Sequence, residues 1–392
     1  MPASGGPRLF RRHRRRIIDE RRTVVATDAV TIGLRRGRPS AALLAHVLVA
    51  KYCDHLPLYR QSAMYARDGL DLDRSTLADW VGQAAWLLDP VVEGIRAHVF
   101  AADKIHGDDT PVPVLAPGTG KTKTGRLGVY ARDDRPFCGT APPAAAFFYS
   151  PDRKGERPHE HLTDFTGFLQ ADAYAGYEAL YDSGRTVPGP IVEVGCWAHC
   201  RRKYFDVWEA TKSAVAKEAL DRIAAIYVIE AEARDRPIGE RVAIRAKACP
   251  LIDGFFDWGH AMLGKLSAKS ALADAFRDTL KRREALSRFL SDGRLETDNN
   301  RAENCLRGVA LGRKNWTFAG SDAGGESAAA SYTIIETALC RARHNAVYAE
   351  GRTMPNGREG SRGKGRVARR RAAPVPATFG IVLRPTTLRG TR

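Results

Sequence analysis

The chain has 392 residues, of which 44% are hydrophobic and 27% charged, and its formal net charge is +17. These fractions are ordinary for a soluble globular protein, and no segment reaches the roughly 18 consecutive apolar residues that a membrane-spanning helix needs. The seven cysteines are an odd number without a CxxC pair, which argues against a disulfide framework and against a zinc ribbon. The first 22 residues lack the apolar core of a secretory signal. We therefore expect a reduced, intracellular protein.

The positive charge is concentrated at the two ends of the chain. Residues 1–40 carry a net charge of +8 and residues 351–392 a net charge of +10, which leaves the middle close to neutral. Both ends are rich in Arg, Gly and Pro, so 1–39 and 341–392 are predicted to be basic, disordered, low-complexity tails. Such tails either are solvated extensions or attract phosphates without an ordered site. Specific chemistry is expected between them.

Residues 40–96 are predicted to be helical. Apolar residues recur at helical spacing over 41–52, 56–67 and 76–88; Gly69 ends the second run and Ser75 opens the third. Two helices joined by a glycine-containing turn are compatible with a DNA-binding helix-turn-helix and equally with a plain helical hairpin.

From about residue 97 the sequence pattern changes to short β-prone runs separated by Gly, Pro and Asp. The predicted strands are Val99–Ala102, Val112–Leu115, Leu127–Ala131, Ala144–Tyr149, Phe168–Ala171 and Ile191–Val194. Residues 205–292 then show helical periodicity interrupted at Pro237 and Pro250, and further helices are predicted over 299–306 and 327–339. Strands followed by a long helical stretch indicate an α/β fold with a core over 97–204 and 293–340 and a helical insertion between these two parts.

The segment Pro117-Gly118-Thr119-Gly120-Lys121-Thr122 looks like the end of a phosphate-binding loop. The full pattern requires glycine where this chain has Leu115, and it requires a helix to follow. Because a β-prone run follows instead, this segment is predicted to be the exposed tip of a hairpin, and no nucleotide hydrolysis is predicted.

Three carboxylates occupy positions from which they could meet. Asp108 and Asp172 each follow a β-prone run, and Glu303 lies just inside a helix that Asp298 can cap. Mg²⁺ binds through few carboxylates, and a pair of such ions about 3.5–4 Å apart can carry out phosphoryl transfer. With 45 acidic residues in the chain, spacing alone supports this triple only weakly.

Five longer sequence motifs are more specific than this spacing. They are Leu56-Pro57-Leu58-Tyr59-Arg60-Gln61, Gln170-Ala171-Asp172-Ala173-Tyr174-Ala175-Gly176-Tyr177, Cys196-Trp197-Ala198-His199, Asp298-Asn299-Asn300-Arg301-Ala302-Glu303-Asn304 and Gly312-Arg313-Lys314-Asn315-Trp316. In this order, over about residues 40–338, the sequence resembles the insertion sequence 66 (IS66) family of bacterial DDE transposases. The resemblance implies a ribonuclease H-like mixed sheet with flanking helices, in which Asp108, Asp172 and Glu303 are the catalytic, metal-binding triad. Where this chain has Asp109, the family usually has Glu, which leaves the role of Asp109 open.

Residues around the triad are candidates for accessory roles. Cys196, His199 and Asn300 are predicted to support the site by packing and hydrogen bonding; a zinc pair at Cys196 and His199 is the weaker alternative because no second pair is visible. The predicted DNA contacts, for which a solvated helix face is the alternative, are Arg201, Arg202, Lys203, Arg301, Arg307, Arg313 and Lys314.

The resemblance implies Mg²⁺-dependent cleavage at transposon ends and transfer of the 3′ hydroxyl into target DNA, with Mn²⁺ as a substitute metal. It also implies a bacterial cytoplasmic, nucleoid-associated protein that assembles as a homo-oligomer on DNA with helper proteins of the same element. The alternatives are a related nuclease without joining activity and an inactive DNA-binding relic. The inactive relic is considered because the two ends of the chain depart from the family pattern. We hypothesise that both ends are translated in a reading frame different from the ancestral one. Translating the neighbouring frames of the coding DNA would test this.

Overall fold

The computed structural model describes residues 22–27, 30–35, 38–182 and 184–349. The predicted tail segments 1–21 and 350–392 lie outside the described residues. Within the segment 1–39 that we expected to be disordered, the structure has a three-stranded antiparallel sheet made of β1 (Arg22–Thr27), β2 (Val30–Arg35) and β3 (Arg38–Pro39). The difference has a local cause, since residues 23–32 are rich in β-branched Thr, Val and Ile, which favour strands.

Four helices follow: α1 (Ala41–Tyr52), α2 (Leu58–Arg67), α3 (Arg74–Leu87) and α4 (Asp89–Phe100). The first three match the predicted helices to within two residues at each end. The fourth replaces the strand expected at 99–102, because Pro90 occupies the first turn of a helix and Val92 and Val99 are buried on one face of it.

The centre of the molecule is a five-stranded mixed sheet. Its strands are β4 (Lys104–Ala116), β5 (Lys121–Arg132), β6 (Ala144–Ser150), β7 (Gly167–Ala171) and β8 (Ile191–Val194), in the spatial order β6-β5-β4-β7-β8. The first three pair antiparallel, whereas β7 and β8 join in parallel to one another and to the start of β4. The short helix α5 (Glu156–His161) connects β6 to β7. The predicted hairpin at 112–131 and the general prediction of an α/β fold are confirmed.

Six helices form the insertion between β8 and the last part of the core. They are α6 (Trp197–Thr211), α7 (Ala214–Ala233), α8 (Ile238–Arg245), α9 (Cys249–Leu263), α10 (Ala271–Lys281) and α11 (Arg283–Ser287). Both predicted interruptions are helix starts: Pro237 precedes α8 and Pro250 lies in the first turn of α9, where proline costs no hydrogen bond. The insertion has its own core, in which Trp197 contacts Phe255 and Phe256.

A buried ion cluster in the insertion reaches the segment before the last core helices. Glu230 of α7 accepts hydrogen bonds from Arg241 and Arg245 of α8, and both arginine side chains are fully buried. The two guanidinium groups also donate to the carbonyl oxygen of Leu295, and Arg241 pairs with Glu296. The segment at 295–296 is therefore fixed by the helical insertion.

Two helices complete the core: α12 (Asn300–Asn315) and α13 (Asp322–Ala349). Both are longer than predicted. The first turn of α13 contains Gly324 and Gly325; a side chain at Gly325 would collide with the ring of Tyr149, so glycine is needed there. In the described part of the chain, no helix is both long and apolar enough to cross a membrane.

Helix α13 also covers the outer edge of β6, the first strand in the spatial order of the five-stranded sheet. The hydroxyl oxygen of Thr333 accepts from the backbone N–H of Phe147 at 2.9 Å, and that of Thr337 accepts from the N–H of Ala145 at 3.1 Å. These bonds satisfy strand groups that would otherwise be open to another chain.

Candidate active site

The pairing register of the parallel strands brings Asp108 and Asp172 together. Gly107 of β4 lies opposite Ala171 of β7, so the next residue on each strand, Asp108 or Asp172, lies at the same end of the pair. Here β4 leaves its pairing with β7, and both carboxylates are half-buried. This end of parallel strands is the usual location of sites in open α/β sheets.

Glu303 is brought to the same place by the segment that precedes α12. The side-chain amide of Asn299 donates to the carbonyl oxygen of Gly107 at 2.8 Å, and its oxygen lies 3.1 Å from Nδ1 of His106. Gln170 forms two hydrogen bonds with the backbone of Glu296. Residues 296–299 are thus fixed to β4 and β7 directly beside the aspartates, and Glu303 follows one helical turn later.

His199 connects the acidic residues from the side of the insertion. Its Nε2 lies 3.6 Å from Oε1 of Glu303, and its attraction lowers the pKa of Asp172 against the larger effect of burial, which raises it. The start of α6 is held in place because the N–H of Trp197 donates to Thr297 O and the Cys196 thiol accepts from the N–H of Asn299. Cys196 therefore packs behind the site, whereas His199 faces it.

The site disfavours the charged form of its own carboxylates. The pKa of Asp108 is raised to about 7, chiefly by burial and next by repulsion from Asp172, with smaller contributions from Asp109 and Glu303. A hydrogen bond from the N–H of Asp109 acts in the opposite direction. A bound cation would supply the opposite charge that these groups lack.

Asp109 has a different environment from Asp108. Its carboxylate pairs with Arg126, and with Nη2 of Arg153 at 3.1 Å. Arg153 in turn stacks on the ring of Tyr174, with 4.2 Å between guanidinium and ring centre. Successive strand residues point to opposite faces, so Asp109 anchors a neighbouring ion cluster and Asp108 faces the candidate site.

The three carboxylates fit Mg²⁺ in kind, because hard divalent ions take oxygen ligands. Within the described residues, however, no three His, Cys, Asp or Glu side chains are already arranged to hold a metal ion.

A cleft of about 370 Å³ opens beside Asp172, between the end of β7 and the insertion. Charges of both signs line it: Lys203 pairs with Asp278 at 2.6 Å, and Arg282 pairs with Asp278 and, at 3.8 Å, with Glu193. The cleft gives access to Asp172 from solvent.

The predicted DNA-contacting residues fall into two groups. The side chains of Arg201, Arg202, Lys203, Arg307 and Lys314 are exposed. Arg313 is half-buried and donates to the carbonyl oxygen of Pro111. Arg301 is held internally, because it pairs with Asp133 at 3.2 Å and donates to Sγ of Cys340.

Asn300 and Asn299 have opposite environments. Asn300 is exposed on the face of α12 that carries Glu303 and Arg307. The fully buried Asn299, which the sequence analysis did not single out, makes the contacts that position this helix. Its place at the start of the helix predicted over 299–306 was the available signal.

Comparison with known proteins shows the family of this chain. The profile described as "Transposase IS66 family" matches residues 36–327. The chain belongs to the IS66 family of transposases. Relatives of this IS66-family chain occur in Sinorhizobium fredii (strain NBRC 101917 / NGR234): "Uncharacterized protein y4hP" is 44% identical over 319 residues, and "Uncharacterized protein y4qI" is 39% identical over 307 residues. Each alignment covers 78% of this IS66-family chain and 57% of the relative.

Proposed function

We propose that this IS66-family chain is a DDE transposase that cuts DNA at transposon ends and joins the resulting 3′ hydroxyl to target DNA. The observation that carries the proposal is the convergence of Asp108, Asp172 and Glu303 at one end of the parallel strands. The strand order, three antiparallel strands continued by two parallel ones, supports the ribonuclease H-like core that the family resemblance implies.

In this proposal the three carboxylates hold two Mg²⁺ ions, with Mn²⁺ as a substitute. When bound, such a pair activates the attacking oxygen and stabilises the leaving oxygen of a phosphodiester. Asp108 and Asp172 supply ligands from rigid strands, and Asn299 fixes the approach of Glu303. In cleavage, water attacks the phosphorus and the 3′ oxygen leaves; in joining, that 3′ hydroxyl attacks a target phosphodiester and displaces a new 3′ end.

The DNA-binding part of the proposal uses the exposed cations Arg201, Arg202, Lys203, Arg307 and Lys314, with Arg313 beside them. Arg301 has an internal anchoring role, since its guanidinium is engaged by Asp133. Only the family resemblance supports three further parts of the proposal: assembly on paired DNA ends, helper proteins and association with the nucleoid.

The test is a cleavage-and-joining assay with Mg²⁺ on DNA that carries transposon ends. Asp172→Asn should abolish cleavage and joining while DNA binding stays nearly unchanged, because one ligand is lost and no surface cation is altered. Asp164→Asn, an exposed carboxylate before β7, is the matched control and should cleave normally. Cleavage by Asp172→Asn at the wild-type rate would refute the assignment.

A DNA-binding chain without cleavage is the second candidate. It is favoured by one observation, that the formal net charge of +17 is concentrated at the two ends of the chain, where it can attract DNA without a catalytic site. It predicts salt-sensitive DNA binding and no cleavage by the unaltered chain in the same assay. Cleavage without joining would instead indicate a nuclease.

A further inference from the structure

The hairpin of β4 and β5 continues well beyond the rest of the sheet. In the described residues, β7 pairs only with Lys104–Gly107 of β4, and β6 pairs only with Arg126–Arg132 of β5. Outward from the pair Val112 and Gly125, the two strands continue for five residue pairs as a two-stranded ribbon that ends at the turn 117–120. At the usual rise per residue, this ribbon projects by about 17 Å.

The ribbon is held in a fixed direction. The N–H of Leu115 donates to Ala319 O and the N–H of Ala319 donates to Pro113 O, both at 2.8 Å. Lys123 pairs with Asp322 of α13 at 2.6 Å. Isolated two-stranded ribbons are marginally stable, so these contacts, together with the burial of Val112 and Val114 at the base of the ribbon, keep it extended.

Its composition suits a polyanion. Residues 110–132 contain no Asp or Glu and four cations, and the residues around the turn are mainly Thr, Lys and Gly. Three of the cations, Lys123, Arg126 and Arg132, pair with carboxylates outside this stretch, and the fourth, Lys121, lies beside the turn. Residues 117–124 are all exposed. In the part of the chain that the structure describes, no carboxylate lies within ion-pair distance of Lys121.

The ribbon begins at the candidate active site. Asp108 lies on β4 eight residues before Ala116, a separation of about 26 Å, which is about eight base pairs of duplex DNA. Helix α12 leaves the site on the same side, because Arg313 near its end contacts Pro111 O at the base of the ribbon. The exposed side chains of Arg307 and Lys314 thus lie on the helix that runs from Glu303 toward the ribbon.

We propose that the ribbon of residues 112–125 binds the duplex DNA flanking the scissile phosphate, with Lys121 at its tip contacting phosphate about eight base pairs from the cleavage point. A two-stranded ribbon fits the major groove of B-form DNA. This inference rests on the proposed function for the location of the scissile phosphate; DNA binding by the ribbon itself does not depend on cleavage.

The first experiment measures the affinity of the full chain for duplex DNA as a function of salt. Lys121→Glu should weaken binding and lower the slope of log affinity against log salt by about 0.9 for the lost phosphate contact. Lys269→Glu, the same change at an exposed lysine of the insertion, should leave the slope unchanged. The charged ends of the chain are the same in every variant, so their contribution cancels in the comparison.

The second experiment uses substrates whose flanking duplex extends either about 4 or about 16 base pairs from the cleavage point. The Lys121→Glu variant should bind the long substrate more weakly than wild type and the short substrate equally well. Equal behaviour of Lys121→Glu and Lys269→Glu on both substrates would overturn the ribbon proposal. If the wild type binds as expected but does not cleave, the proposed function fails while the ribbon proposal stands.

Discussion

The side-chain amide of Asn299 donates to the carbonyl oxygen of Gly107 across 2.8 Å, which joins the residue before α12 to the residue before Asp108. This single contact relates the helix that carries Glu303 to the strand that carries Asp108. Asn299 is fully buried, whereas its neighbour Asn300 is exposed, so the two asparagines form a natural matched pair for mutation.

We predict that Asn299→Ala lowers the rate of DNA cleavage by about 100-fold, since small displacements of a catalytic group have effects of that size. The change also leaves Gly107 O without its donor and should reduce the free energy of unfolding by about 1–3 kcal/mol. Cleavage is measured by single-turnover kinetics at a temperature where thermal unfolding shows both proteins folded. Asn300→Ala should match wild type; a normal rate for Asn299→Ala would contradict the positioning role.

The raised pKa of Asp108 predicts a pH-dependent stability. Because the folded-state pKa is about 7 and the model-peptide value is 3.8, the native state binds this proton more tightly than the unfolded chain. The stabilisation is complete below pH 3.8 and is lost as the pH rises toward 7. Asp108→Asn should therefore raise the melting temperature more at pH 8 than at pH 5, by an amount equivalent to at most about 3 kcal/mol.

The effect of Mg²⁺ on the melting temperature tests the same carboxylates. Millimolar Mg²⁺ at pH 8 should raise the melting temperature of the wild type, because a bound cation relieves the repulsion among the carboxylates. It should have little effect on Asp108→Asn or at pH 5, where Asp108 is protonated. An equal rise for wild type and Asp108→Asn would show that the ion binds elsewhere.

The buried cluster around Glu230 predicts a large loss of stability. Glu230→Gln leaves the fully buried Arg241 and Arg245 without their shared carboxylate, and breaking such buried pairs costs about 3–5 kcal/mol. Glu232→Gln is the control, since Glu232 lies two residues away and pairs with Lys247 at the surface, where a pair contributes at most about 1 kcal/mol. Urea unfolding of the two variants compares them; equal midpoints would contradict this interpretation.

The covered edge of β6 predicts a change in solubility. Thr333→Val and Thr337→Val together remove the acceptors for the N–H groups of Phe147 and Ala145, each at a cost of about 1–3 kcal/mol. An edge with unpaired groups also becomes available to other chains. Light scattering during heating should show earlier aggregation than for Ser327→Ala, whose hydroxyl bonds only within its own helix; similar onset temperatures would argue that the edge is protected by other means.

Local patterns predicted most of the elements because each depended on a few neighbouring residues. Alternating and periodic apolar positions located β5, β6, β7 and β8 and helices α1 to α3 correctly. The strand expected at 99–102 failed because Val99 also lies at helical spacing from Val92, and only the helix start at Asp89 and Pro90 distinguishes the two. The start of α13 was missed because the reason for Gly325, contact with Tyr149, comes from a strand 176 residues away.

The same limit applies to the candidate site. The sequence motifs around Asp108, Asp172 and Glu303 identified the carboxylates, but the strand register that aligns the two aspartates is a property of the folded sheet. The roles of Asn299, Glu230 and Arg245 depend on contacts between segments far apart in sequence. Arg301 had the expected charge for a DNA contact, yet its pairing with Asp133 could be seen only in three dimensions.

The ion cluster of the insertion has a consequence for protein engineering. Because Arg241 and Arg245 contact Leu295 O directly, the six-helix segment cannot be treated as a detachable module. A chimaera that exchanges only 197–290 would retain a junction without its buried counter-charges. Residues 197–299 would have to be exchanged together if the chimaera is to keep Glu303 in place.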